Sequence, residues 1–451
     1  MEQLLHYVWK HKIFPLRQLT TTDGRTLDVL NPGIHNSNAG PDFIGACIKI
    51  DGTEWVGNVE LHTHTSDWFR HHHDTDPAYS NIILHVAEDV DRPLFYPNGE
   101  EIPQLQLGIP RHVIDNYTQL SHADTHPRCK HILPTLPTIM IHNWMTTLAL
   151  QRFEMRTKQI AQRRESLNGN WEDTLFVTMA RNFGFGINGE AFELWAQSIP
   201  LSAVAKHRDD LFQIEAIFFG QAGFLEDTIT PQGTETAPSA DGASQPAPKD
   251  SYYCRLQREY RYLRHKFGLT PMDLKHWKFL RLRPQNFPHI RIAQLAMLYY
   301  QQRLSISRLL NATTIQDIQS LFDTHVSDYW LTHYSFSSQT SRSCQKQLSP
   351  SSLTLIIINS VAPILFAYGR YKANQNLCDR AFELWEQLKP ETNHITRSFA
   401  AANVVCDNAA DSQALIHLHT AYCLRRDCLR CHFGHEYISC TPSYLSEDTE
   451  K

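Results

Sequence analysis

Asp42, Glu60 and His62 are the residues whose types and spacing most invite chemistry. Asp51-Gly52 is a strong two-residue hairpin signal between the strand-like runs 43–50 and 53–63. With that turn Ile50 pairs with Thr53, and counting back sets Asp42 opposite Leu61; a slip of one residue changes the partner only to Glu60 or His62. Glu60 and His62 share one face because side chains alternate along a strand, while Val59 and Leu61 point toward the core. The three are therefore expected to converge. Two carboxylates with a third polar group suit a hard divalent cation such as Mg²⁺ or Mn²⁺. Such an ion activates water and stabilises charge on a phosphate in transition.

Histidine is abundant, 25 in 451 residues, and six of the 25 lie between positions 62 and 85. Ser66 or Asp67 is a cap for a helix beginning at Trp68. Such a helix sets His73 and Asp76 at i,i+3 and His72 and Asp76 at i,i+4, both acceptable ligand spacings. A His/carboxylate set suits Zn, Mn or Fe better than Mg. His71, His73 and Asp76 are thus candidates for a second metal or a substrate, and His72 is read as solvated. His35, with Asn36 and Asn38, lies in the loop before Asp42 and frames the same place.

The elements that must position these residues begin with a helix over 2–13, whose Leu4, Leu5, Val8, Trp9 and Ile13 share a face and which Pro15 stops. Runs 18–22 and 25–30 flank Asp23-Gly24 as a first hairpin, a Gly/Asn/Pro-rich loop spans 31–40, and 81–86 reads as a strand buried on both faces. From about residue 133 helical periodicity dominates. The expected fold is α+β: a mixed α/β domain over 1–120, a helical domain over 133–227, a Pro/Ser/Thr-rich linker over 228–251, a second helical block over 252–422, and a cysteine-rich metal-binding tail over 423–440.

Pro41-Asp42, followed after one hairpin by Glu60-Leu61-His62, resembles the PD-(D/E)XK nuclease signature, and the element order is similar to that superfamily's α-β-β-β-α-β core. The resemblance implies hydrolysis of phosphodiester bonds in nucleic acid, with Mg or Mn on Asp42 and Glu60. It also implies a first-helix acid, for which Glu2 is the only candidate, and His62 where the superfamily has lysine. His62 is a weaker cation, with an ordinary pKa near 6.5, so activity is expected to fall as the imidazole deprotonates. The stretch from NPGIHNSNAGPDF to NIILHV, with RLRPQNFPHIRIAQLA and CLRRDCLRC further on, also resembles an uncharacterised bacterial family of unknown function over nearly the whole chain.

A net charge of -5 gives no global attraction to nucleic acid, so a local patch must supply it. Residues 252–291 hold ten Lys/Arg against two acids, and Arg255, Arg258, Arg261 and Arg264 recur every third residue among Tyr252, Tyr253, Tyr260 and Tyr262. That pattern suits phosphate contacts and base stacking. Cys423-x4-Cys428-x2-Cys431 has metal-ligand spacing, with Cys406, His435 or Cys440 as a fourth ligand. Zinc fits three Cys and one His. A [4Fe–4S] cluster is the rival, since some nucleases of the resembled superfamily build one from three C-terminal cysteines and a distant one. The N-terminal segment lacks signal-peptide character, and the apolar run 353–368 is short for a membrane span and reads as a buried helix, so a cytoplasmic protein without a membrane partner is expected. Two further readings remain: a catalytically inactive module that binds nucleic acid or protein, and a metallohydrolase acting on a small substrate through His71, His73 and Asp76.

Overall fold

The computed structural model describes residues 1–14, 19–226, 251–336, 338–340 and 342–440. Residues 228–250 of the expected linker lie outside the described residues. The protein is mixed α+β, a sheet followed by a mostly helical region. Two compact units divide it: one of residues 1–144, 394–405 and 416–451, the other of 145–393 and 406–415. This differs from the five consecutive segments read from the sequence. Periodicity separates elements along the chain, but the tail that follows the helices packs with the N-terminal sheet.

In the first unit, α1 (Glu2–Lys10) buries Leu4, Leu5, Val8 and Trp9, and the helix ends three residues earlier than expected. The strands β1 (Leu19–Thr20), β2 (Thr26–Asn31), β3 (Ile34–His35), β4 (Phe43–Ile50), β5 (Thr53–His64), β6 (Ile82–Asp89) and β7 (Gln104–Gln106) form one sheet in the order β1-β2-β4-β5-β6-β7, with β3 also on β4. The β4–β5 hairpin opens on Ile50 opposite Thr53, as the Asp-Gly turn predicts. An extra β4 residue between Phe43 and Ala46 then shifts the register, so that Phe43 faces Val59 and not Glu60. Gly45 supplies the left-handed backbone of this bulge with φ +66°.

β5 and β6 run parallel, with Glu60 beside His85, and β6 continues to Asp89, beyond the expected 81–86. Between them the helix expected from Trp68 is one turn only, α2 (Asp67–Arg70). The chain then turns sharply through His72, whose φ is +62°. Trp68, Tyr79, Ile82, Leu94 and Ile102 cluster into a small core that holds this connection. α3 (Arg111–His122) uses the Asn116 amide to donate to the carbonyls of Tyr437, Ile438 and Cys440 at 3.1, 3.2 and 2.9 Å, which fastens the tail.

The second unit is built from helices, including Trp171–Phe183, Leu211–Gln221, Ser251–Phe267 and Pro288–Tyr300. The apolar run lies within Pro350–Tyr371, which is long and apolar enough to cross a membrane; 67% of its most apolar window is buried, as in a core helix.

Candidate metal centre

The bulge at Gly45 decides how β4 and β5 meet at their far ends. The backbone N–H of Asp42 donates to Glu60 Oε2 (3.0 Å), and the N–H of Leu61 donates to Asp42 Oδ2 (3.0 Å). Asp42 and Glu60 are thus adjacent, as expected, but each carboxylate is partly engaged by the other strand's backbone. From α1, His6 Nε2 approaches Asp42 Oδ2 at 3.2 Å. Burial opposes ionisation of both groups, yet the close approach of opposite charges outweighs it: His6 is raised, Asp42 lowered, and the two form an ion pair. Glu2 stands behind, 4.0 Å from His6 and half exposed. It reaches the acids only through that imidazole.

Glu60 is buried, and burial pushes its pKa up; the hydrogen bond from His73 opposes this and the charge of Asp42 adds to it. Its Oε1 lies 3.2 Å from His73 Nε2 and 3.7 Å from His62 Nε2. His62 Nε2 is 3.2 Å from His71 Nδ1. Nitrogen atoms of His62, His71 and His73 all lie within 4.8 Å of one another, the one such group of three or more potential ligands among the described residues. The turn at His72 brings His71 and His73 back over β5, while His72 is exposed. His73 also stacks on Tyr79 at 3.8 Å between ring centroids.

Burial, then the neighbouring imidazoles His85, His73 and His71, drives His62 down to about 3. It is therefore a neutral ring throughout the physiological range. This corrects the weak-cation role expected for it: a neutral imidazole supplies a lone pair, the property of a metal ligand, and not the charge of a lysine.

Asp76 is not part of the group. Its carboxylate caps the short turn Pro77–Tyr79 by accepting from the N–H of Ala78 (2.9 Å), because the chain leaves helical geometry before reaching it. His35 packs edge-on against His6, with ring centroids 5.6 Å apart, and against Phe43. With Gln3, His6, Tyr7, Lys10, Asp427, Leu429 and Arg430 it lines an open cavity of about 280 Å³. Sequence reasoning missed His6, whose signal was its i,i+4 relation to Glu2. It also missed His85, a histidine inside an apolar strand. His85 is fully buried, offers Nε2 to His62 Nδ1 at 2.9 Å, and leaves its own Nδ1 without a hydrogen-bond partner among the described residues.

Of the tail residues, Cys423, Cys428 and Cys431 line one small cavity. Cys406 belongs to the other unit and sits near Asp407 and Asp411. His435 is committed elsewhere: its Nδ1 is 2.7 Å from the Tyr7 hydroxyl and its ring lies against His11. Arg255, Arg258, Arg261 and Arg264 are exposed along Ser251–Phe267, with Arg255 over the Phe212 ring and Arg264 paired with Glu226 at 2.9 Å. Their interleaved tyrosines behave otherwise than expected. Tyr260 is buried and donates to Gln221 (2.8 Å), and the Tyr252 hydroxyl donates to Glu215, so neither offers a stacking face; Tyr262 remains exposed.

Fold and site together describe an α+β protein whose sheet carries a histidine-rich cluster with potential ligand geometry. Residues 2–394 match a family described as Protein of unknown function (DUF2851), and the chain belongs to that family. No curated protein and no solved structure matches it.

Proposed function

We propose that the protein is a metal-dependent phosphodiesterase whose ion is held by His62, His71 and His73 with Glu60 beside it. The convergence of three imidazole nitrogens within 4.8 Å carries this reading. Three neutral nitrogen ligands suit a transition ion such as Zn²⁺ or Mn²⁺ better than Mg²⁺, so on this reading the imidazoles, more than the Asp42–Glu60 pair that the PD-(D/E)XK resemblance implies, would hold the metal. When bound, the ion supplies a water of lowered pKa and neutralises phosphate charge. If His62 held an ion through Nε2, its Nδ1 proton would be donated to His85 Nε2, and His85 would keep its own proton on the unpartnered Nδ1, a bond that would fix the His62 ring. Asp42 holds Glu60 in place through its backbone N–H, leaving Oε1 turned toward the histidines and able to take a proton from water. Lys10 and Arg430 in the adjoining cavity suit a phosphate. Nucleic acid as substrate rests on the exposed arginines 255, 258, 261 and 264.

A second reading, hydrolysis of a small phosphoester, is favoured by one observation: the cavity beside His6, about 280 Å³, is of small-ligand size. One assay separates the two. The full chain is incubated with Zn²⁺, Mn²⁺ or Mg²⁺ and offered single- and double-stranded DNA, RNA and bis(p-nitrophenyl) phosphate. Cleavage of nucleic acid with Zn²⁺ or Mn²⁺, lost by about 10²-fold or more in His73→Ala and Glu60→Gln, is expected; Arg258→Glu with Arg261→Glu raises KM for nucleic acid and leaves the small ester unaffected. Turnover of the small ester alone selects the second reading. Absence of metal-dependent hydrolysis with every substrate overturns both.

A further inference from the structure

The three tail cysteines do not line their cavity alone. Cys129, some three hundred residues earlier in the chain, lines it with Cys423, Cys428 and Cys431. All four are free thiols, and Cys129 and Cys431 are buried. The place is built rather than accidental. Cys129 sits in a tight turn where the N–H of Ile132 donates to the Cys129 carbonyl (3.1 Å). Cys428 opens the turn Cys428–Arg430, and Cys431 is the N-cap residue of the helix His432–Ser439. A Cβ on Gly434 would meet the Cys428 carbonyl oxygen at 2.2 Å, so only glycine lets the knuckle close onto the helix. Two arginines tie the halves together: Arg128 Nη1 donates to the Cys423 carbonyl (2.6 Å) and Arg426 Nη1 to the Ser121 carbonyl (2.8 Å).

Four thiols around one small cavity, which Arg128 and Asp427 also line, match the donor set of a bound thiophilic cation. We propose that Cys129, Cys423, Cys428 and Cys431 together ligate a metal centre, either a zinc ion or an iron–sulfur cluster, that fastens the tail to the sheet unit. Both centres share the chemistry of four thiolates, and each releases the thiol protons as it binds. No three of these sulfurs lie within 4.8 Å of one another. A zinc ion at about 2.3 Å from each sulfur therefore has to draw them closer together, whereas an iron–sulfur cluster spans a wider set. The site is independent of the phosphodiesterase reading.

The test purifies the full chain anaerobically and measures zinc, iron and acid-labile sulfide. About one zinc per chain beyond any held by the histidine cluster, or iron with equimolar sulfide and a brown visible absorption, is expected. The cysteine-site metal should fall about tenfold or more in Cys129→Ser and Cys431→Ser, and stay unchanged in Cys378→Ser. Should the serine variants precipitate, mercurial titration of wild-type protein with peptide mapping is the alternative: metal is released as these four thiols, Cys129 included, are modified. Full metal content in Cys129→Ser, release with Cys129 unmodified, a disulfide to Cys129, or a wild-type chain free of zinc and iron each overturns the proposal.

Discussion

Glu60 and Glu215 are buried glutamates, one in each unit, and burial raises both. Their company differs. Glu215 accepts hydrogen bonds from two neutral hydroxyls, Tyr252 and, at 2.9 Å, Ser327. Glu60 faces a second carboxylate, Asp42, and the imidazoles of His73 and His62. Neutral donors complete the first acid and leave nothing for a ligand. A second acid and rings that can accept as well as donate give the other the surroundings that the proposed metal would use. Burial of an acid alone does not mark a functional site; the donors and acceptors around it do.

Three measurements break or sharpen that contrast. Glu215→Ala strands two buried hydroxyls and leaves a void, and should destabilise the protein by about 4 kcal/mol in urea unfolding, with metal binding untouched. A variant near wild-type stability means that Glu215 is not the completed structural acid described here. Next comes pH. Burial raises Glu215 to about 7, so the folded state holds its proton more tightly than the unfolded one. The corresponding stability is full below the ordinary carboxylate pKa and is lost as pH rises through about 7, a difference of about 3 kcal/mol. Subtracting the Glu215→Gln pH profile from the wild-type profile isolates it, and a flat difference contradicts the environment. Third, Mn²⁺, which thiolates take poorly, at a hundredfold excess over Kd should stabilise the wild type and Glu215→Gln by about 2.7 kcal/mol, read as a rise in Tm, but not His73→Ala. An equal rise in all three removes the distinction between the two glutamates.

Much of Glu60's neighbourhood was legible in the sequence, because local rules govern it. Asp51-Gly52 sets the hairpin, and alternation sends Glu60 and His62 to one face. The bulge was not legible, since Gly45 reads as an ordinary strand residue until its φ is known. His71 and His73 were found for a helical reason that does not hold: they converge through the left-handed turn at His72, which excludes Asp76. Cys129 carries no local spacing relative to Cys423, and only tertiary folding joins them. The tyrosines at 252 and 260 turned inward because packing, not the spacing of the arginines beside them, chose their face.

The first unit is assembled from both ends of the chain: residues 1–144 are completed by 394–405 and 416–451, with the Asn116 amide closing on the carbonyls of Tyr437, Ile438 and Cys440. During synthesis the sheet therefore emerges first but waits for its closing segment while about 270 further residues are added, roughly 15–60 s at bacterial and eukaryotic elongation rates of about 5–20 residues per second. Throughout that interval the surfaces that later receive the tail, including Cys129 and one side of α3, stand uncovered on the ribosome. The helical unit, whose residues are nearly all made in between, is complete but for 406–415 before the older unit can finish.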